Sequence, residues 1–358
     1  MNLLLVDDEI EQKESWEETL NTIEKGNKEK YSINLSFSKD LETAKDLIAN
    51  NNIDFLIVDL RLGKSDPEGN SLINMVYELS LRIPTIVVTG TPEDVLDDTK
   101  IIKKFKKGEA SISEIINYLI SIYNTGITKI LGRTGIIEDY LFEVFNKNLL
   151  PSINKWVEYA EQSAEKTEKA LLRYSLNHLY QYLDDSEEYC FAEEMYIYPP
   201  KGSNYYTGSI VEEKENCNKK FIIIAPACDI ALHNGSFKTE RVQLLEIQNA
   251  EDIEKIFLRK VESQDEKKVI RGDLYKNNKT LFYHWLPNTD FFAGGFINFR
   301  RISSYSRKDL EKNFSAPVIQ ISPFFCKDIV SRFSSYYARQ GQPNIDLTSF
   351  LMANEDSD

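Results

Sequence analysis

The first 125 residues alternate short apolar runs with apolar residues at helical spacing. Leu3 to Val6 is a run of the kind that makes a buried strand, and Trp16, Leu20 and Ile23 then recur at i, i+4 and i+7, as one helix face requires. Ile33, Leu35 and Phe37 alternate as a half-buried strand, and Leu41, Ala44, Leu47 and Ile48 return to helix spacing. Phe55 to Val58 predicts a third strand, ending at Asp59, and Leu72, Met75, Val76 and Leu79 a third helix. Thr85 to Val88 predicts a fourth strand and Ile101 with Ile102 a fifth, before a helix carrying Ile112, Ile115, Ile116 and Leu119 on one face. Strands separated by helices predict an α/β fold, a doubly wound five-stranded parallel sheet covered on both sides.

The pattern changes at Thr125. The stretch GITKILGRTG carries three glycines and reads as a hinge, followed by a short amphipathic helix from Ile136 to Phe145. Pro151 suits the first turn of a further helix, which the apolar spacing of Trp156, Ala160, Ala164 and Leu171 extends to about Leu183. A helix that long predicts either a dimerising stalk or an element packed on a second domain's core. Residues 190–320 read as mainly β, with strands at Tyr196 to Tyr198, Gly208 to Val211, Phe221 to Ala225, Val242 to Ile247, Leu281 to Trp285 and Phe292 to Ile302. Helical spacing returns from Asp252 to Val261, and a strand from Val318 to Ile321 precedes a helix from about Phe324 to Arg339. The expected organisation is residues 1–123, a helical connector at 124–188, an α+β and mainly β domain at 189–350, and an acidic tail at 351–358.

Composition narrows the function classes. The 358 residues are 42% hydrophobic and 28% charged, a globular balance with length for two or more domains. A formal net charge of −14 repels phosphate backbones and anionic headgroups, so neither nucleic acid nor membrane is an expected partner. The four cysteines (Cys190, Cys217, Cys228, Cys326) form no CxxC pair and no disulfide scaffold. MNLLLVDDE lacks a basic leader, and no apolar run reaches membrane-spanning length, so the expectation is a soluble cytoplasmic protein.

The chemistry-bearing residues of the first domain fall at strand ends, where ligands bind in doubly wound sheets. Asp7 and Asp8 end the first strand, Asp59 the third and Thr89 the fourth, and Lys103, Lys104, Lys106 and Lys107 surround the fifth. Three carboxylates brought to one edge repel one another unless a cation neutralises them, and a hard divalent ion such as Mg²⁺ suits so few oxygen ligands.

With LLLVDDE, LIVDLRLG, Gly69 and VVTG, residues 1–123 resemble the receiver domain of two-component response regulators, a flavodoxin-like fold. The resemblance implies that Asp59 is the phosphoacceptor, supplied by a histidine kinase or a phosphotransfer protein. It implies that Asp8, Asp59 and the backbone carbonyl of Arg61 ligate Mg²⁺, with Asp7 helping directly or through water. Thr89 and a lysine would bind phosphoryl oxygens; alternation through Ile102 and Phe105 selects Lys106. The chain departs from the family where only GTPEDVLDDTK separates Thr89 from the fifth strand, too short and acidic for a full fourth helix. The surface that transmits the signal is therefore expected to differ.

Two constellations in the second half could carry chemistry. In FIIIAPACDIALHNG, Cys228, Asp229 and His233 follow a strand, a thiol near an imidazole that reads as a nucleophile or the start of a metal site, or equally as a buried cysteine beside a capping Asp229. From Arg300 to Arg339, eight basic residues stand against three acidic ones. There Arg332, Tyr336 and Arg339 share a helix face suited to an anionic ligand or nucleic acid, or simply to solvent. No helix-turn-helix pattern is evident. The output is expected to be an enzyme using Cys228 and His233, an anion-binding effector using Arg332 and Arg339, or an interaction module.

Overall fold

The computed structural model describes residues 1–26, 32–63, 67–182, 189–232 and 237–339. The chain forms two compact units, Met1–Asp185 and Ser186–Asp358.

In the first unit, β1 (Asn2–Val6), β2 (Asn34–Ser38), β3 (Phe55–Val58), β4 (Thr85–Thr89) and β5 (Lys103–Lys106) make one parallel sheet in the order β2-β1-β3-β4-β5. The unbroken apolar runs of β1 and β3 are explained by burial on both faces. Leu3, Leu5, Phe55 and Ile57 pack beneath α1 (Ile10–Gly26) and α4 (Ile112–Asn124), meeting Trp16, Leu20, Ile115, Ile116 and Leu119. Leu4, Val6, Leu56 and Val58 face the other way, onto Ala44 and Ile48 of α2 (Leu41–Asn50) and Leu72 and Val76 of α3 (Gly69–Glu78). Ser111 and Glu114 close a capping box on α4, satisfying two backbone donors reciprocally.

The fifth strand is not where Ile101 and Ile102 predicted it. Ile101 packs instead with Val95 against Leu60, Ile73 and Val87, plugging the space that a fourth covering helix would fill. The strand itself is KKFK, an exposed edge in which only Phe105 turns toward the core. Between β4 and β5 the chain makes two single 3₁₀ turns, Pro92–Asp94 and Asp98–Lys100, in agreement with the short acidic spacing.

The helices between Ile127 and Tyr180 fall in this first unit. They are α5 (Ile127–Leu131), α6 (Ile136–Glu143), α7 (Ile153–Gln162) and α8 (Ala164–Tyr180), with a π-helical turn at Val144–Leu149 and a 3₁₀ turn at Leu150–Ser152 leading into α7. Arg82 binds the Leu131 carbonyl and Glu138, while Arg133 donates to the carbonyl of Ala49 at 2.9 Å, so α5 and α6 are tied to the body of the sheet. The single long helix expected from Pro151 to about Leu183 is two helices. Ser163 (φ −167°, ψ 103°) is extended backbone, and its side chain accepts from the Lys166 N–H to cap α8. The hairpin closes on Trp156 and Tyr174, edge-to-face at 5.4 Å. A hairpin satisfies the same apolar spacing as a stalk, which is why periodicity alone could not separate them.

The second unit is built on an antiparallel seven-stranded sheet in the order β10-β11-β9-β8-β7-β12-β6. Its elements run β6 (Tyr196–Ile197), β7 (Ser209–Glu212), β8 (Lys220–Ile223), the short α9 (Ala227–Ile230), β9 (Val242–Gln248), α10 (Ala250–Leu258) and α11 (Gln264–Tyr275). They continue with β10 (Tyr283–Leu286), β11 (Gly295–Tyr305), α12 (Arg307–Asn313), β12 (Ile319–Ile321) and α13 (Pro323–Tyr337). One sheet face, with Ile210, Ile222, Leu245, Ile297 and Phe299, packs against Cys326 and Ile329 of α13. The other, with Val211, Phe221, Ile223 and Leu244, receives Leu310 of α12 and the following Phe314. The unit is thus α+β and mainly β, as the strand spacing predicted. Among the described residues, no helix is long and apolar enough to cross a membrane.

Candidate functional site

Sheet order determines the site. Because β1 lies between β2 and β3, the chain changes direction across the sheet there, and the carboxyl ends of β1 and β3 open side by side. The Asp59 N–H donates to the Val6 carbonyl at 2.8 Å, which brings the residues after the two strands together. Asp7, Asp8 and Asp59 each place a carboxylate oxygen within 4.8 Å of the others. Asp7 and Asp59 are 3% and 6% exposed, and Asp8 stands further into solvent.

One cation answers this charge. The Lys107 Nζ lies 2.6 Å from Asp59 Oδ2 and 2.8 Å from Asp7 Oδ2. Burial alone would lower the ammonium's pKa, but hydrogen bonds to Asp59 and Asp7 outweigh it and hold the pKa well above the ordinary lysine value. For Asp7 the balance is opposite: burial outweighs the lysine, and its carboxyl titrates above the usual aspartate value.

Lys106, the lysine selected from the sequence, is corrected by this geometry. It pairs with Glu109 at 3.0 Å outside the acidic cluster. Side chains alternate along a strand, so Lys107 shares a side with the inward Phe105, whereas Lys106 does not. Ile102 and Phe105 are three apart and have opposite parity, so they could not define that side. Gly108, at φ +84°, turns the chain immediately after Lys107.

Thr89 ends β4 and is 1% exposed; its carbonyl accepts the Lys107 N–H at 2.9 Å. The Arg61 N–H donates to Asp59 Oδ1 at 3.3 Å, while its guanidinium reaches Asp94 Oδ2 at 2.8 Å. Asn70 completes this mooring, donating to the Asp94 carbonyl at 3.0 Å and accepting the Leu96 N–H at 3.2 Å. Asp94 and Asn70 carry no motif and were missed. At Gly69 a side chain is excluded: a Cβ would lie 2.4 Å from the Asp59 carbonyl oxygen.

The second-half candidates are not drawn together in the same way. Cys228 is exposed on α9, with Sγ 3.6 Å from Asp229 Oδ1; His233 lies outside the described residues. Arg332 is committed to the Asn277 carbonyl at 2.8 Å. Tyr336 rests against Phe282 and Phe299, and its hydroxyl accepts from Arg300 Nε at 3.2 Å. Arg339 is exposed beyond the end of α13. Much of the basic stretch is also paired: Arg301 with Glu246 and Arg307 with Glu311, both at 2.7 Å.

No family model and no curated protein matches the chain. Among solved structures, the N-terminal third is similar to response regulator receiver domains. A signal receiver domain of an HD domain-containing protein from Pseudomonas fluorescens Pf-5 is 19% identical, covering 35% of this chain and 94% of that one, with a TM-score of 0.29. A Francisella response regulator receiver domain is 21% identical, covering 35% and 97%, with a TM-score of 0.28. The response regulator TrrA from Thermotoga maritima, in complex with Mg²⁺ and BeF, is 18% identical, covering 33% and 97%, with a TM-score of 0.27.

Proposed function

We propose that this protein is a two-component response regulator in which Asp59 accepts a phosphoryl group in a Mg²⁺-dependent reaction and thereby controls residues 189–350. The observation that carries the reading is the buried Asp59 at a strand end, with Asp7 and Asp8 within 4.8 Å and Lys107 at 2.6 Å.

Three hard carboxylate oxygens in one cluster fit Mg²⁺. Asp8, Asp59 and the Arg61 carbonyl would hold it, with Asp7 in direct contact or through water. When bound, the ion supplies positive charge against which an anionic nucleophile and an anionic phosphoryl group can approach. In the transfer, one Asp59 carboxylate oxygen forms the new P–O bond while the donor's P–N bond breaks and its imidazole leaves with that electron pair. Lys107 then offers its ammonium to one phosphoryl oxygen as a point charge, and the Thr89 hydroxyl donates to another. The phosphoryl donor is a histidine kinase or a phosphotransfer protein. Phosphorylation acts by shifting an existing equilibrium of the C-terminal unit or of monomer and homodimer, the latter through the connector, where Phe142, Leu172 and Leu176 are exposed.

The test is intact-mass spectrometry of the full chain after incubation with phosphoramidate and Mg²⁺. One phosphoryl group is expected, absent in Asp59→Asn and absent when the ion is chelated. Equal labelling of Asp59→Asn, or none of the wild type, would exclude the reading.

A further inference from the structure

The guanidinium of Arg61 stands beside the phosphoacceptor but is bound elsewhere. Arg61 follows Asp59 by two residues, and its backbone N–H already donates to Asp59 Oδ1 at 3.3 Å. Its side chain turns aside to Asp94 Oδ2 at 2.8 Å, on the first 3₁₀ turn between β4 and β5. The hydrogen bond and charge of Asp94 raise the guanidinium's pKa above the ordinary arginine value, and Glu93 and Asp59 add smaller contributions, so the Asp59 charge is felt there. The pair is open to water, with side chains 49% and 31% exposed. It holds the turn together with Asn70, which donates to the Asp94 carbonyl at 3.0 Å.

Phosphorylation of Asp59 would change the competition for that guanidinium. A phosphoryl group adds negative charge and three strong acceptor oxygens, and the planar fork of arginine matches them bidentately. Asp94 offers a single carboxylate contact in the open, and an exposed ion pair of that kind is worth little, so it yields readily. The reach is short, because the Arg61 backbone already touches the Asp59 carboxylate and the side chain is long. Lys107 and Thr89 come from the ends of β5 and β4, so Arg61 approaches the phosphoryl group from a third segment, the one after β3.

We propose that Arg61 is a third side-chain ligand of the phosphoryl group, kept on Asp94 until Asp59 is phosphorylated, and that its departure loosens the first turn between β4 and β5. The exchange is ionic and breaks no covalent bond. It rests on the phosphoacceptor reading, and it adds the step by which the acidic segment standing in place of a fourth helix receives the signal.

The test uses the full chain with Mg²⁺ and beryllofluoride as the phosphoryl mimic, its binding titrated by ¹⁹F NMR and its effect read by deuterium exchange. Arg61→Gln is expected to weaken beryllofluoride binding about tenfold, whereas Asp94→Asn, which releases the guanidinium, should tighten it about two- to fivefold. Loss of a merely structural pair would move both variants the same way. In the wild type the mimic should raise exchange across residues 91–96 about two- to fivefold; in Asp94→Asn that exchange is already raised and the mimic adds nothing. Both side chains are exposed, and thermal melts report that the variants fold. Unchanged binding in Arg61→Gln, weaker binding in Asp94→Asn, or unaltered exchange in the wild type despite bound mimic would each overturn this proposal alone. Absence of bound beryllofluoride from the wild type would remove the phosphoacceptor reading with it.

Discussion

At Lys107 two buried carboxylates share one ammonium, and both must answer when it is removed. Lys107→Ala is expected to lower the rate of Asp59 phosphorylation by about tenfold or more, while Lys106→Ala changes it little. Phosphate-affinity gels of the two variants, run as time courses, distinguish the lysines, and equal loss in both would reject the assignment. Asp7 behaves differently, because burial holds its carboxyl above the usual aspartate value even with Lys107 beside it. Asp7→Asn should therefore raise the stability of the metal-free protein while weakening Mg²⁺ binding. A melting temperature that falls instead would show that the ion pair outweighs burial. Gly69→Ala forces a methyl against the Asp59 backbone and should cost about 1–3 kcal/mol, seen as a lower urea midpoint with slower phosphorylation. The acidic residues were legible because each directly follows an apolar run. Lys107 was not, since consecutive lysines conceal strand parity and a one-residue error moves the side chain to the opposite face.

Among the elements, the segment between β4 and β5 is the most individual. Two 3₁₀ turns stand there in place of a helix, and they are moored to the segment after β3 by Arg61 and to α3 by Asn70. Asn70→Ala should leave phosphorylation nearly unchanged but increase deuterium exchange across residues 92–100. Unaltered exchange there would mean that Asn70 holds nothing in place. The missing helix was readable from an eleven-residue, turn-rich segment with four acidic residues, and so were β1, β3, β4 and α4 from their apolar runs. The break between α7 and α8 was not, because Ser163 reads equally well as an exposed helical position until its cap is seen. Nor was α11, whose only buried residue is Leu274, so its sequence has almost no apolar stripe to detect.

On the scale of the molecule, the two units present different kinds of burial. The first places charge in the interior of a site. The second buries a histidine: His284 is 2% exposed, neither ring nitrogen has a hydrogen bond, and burial together with the Arg332 charge pushes its pKa down to about 3. Asp328, at 3.9 Å, does not reverse this. The unfolded chain binds this proton from about pH 6.5 downward and the folded one does not, so the second unit loses stability as pH falls, by up to about 1.4 kcal/mol per pH unit. Urea melts at several pH values should show this slope, flattened in His284→Leu; an unchanged slope would assign it to other groups. Sequence conveyed the α+β class of this unit but not the setting of His284, whose neighbours Asp328 and Arg332 are distant in the chain and meet it only in the folded unit. The lysine-rich β5 has a consequence for assembly. A second copy laid alongside it would set Lys103, Lys104 and Lys106 opposite another row of lysines, and like charges on adjacent strands repel. The sheet is therefore blocked from pairing β5 with β5 of a second copy, and a contact between copies on that side of the first unit has to be made by helices or loops.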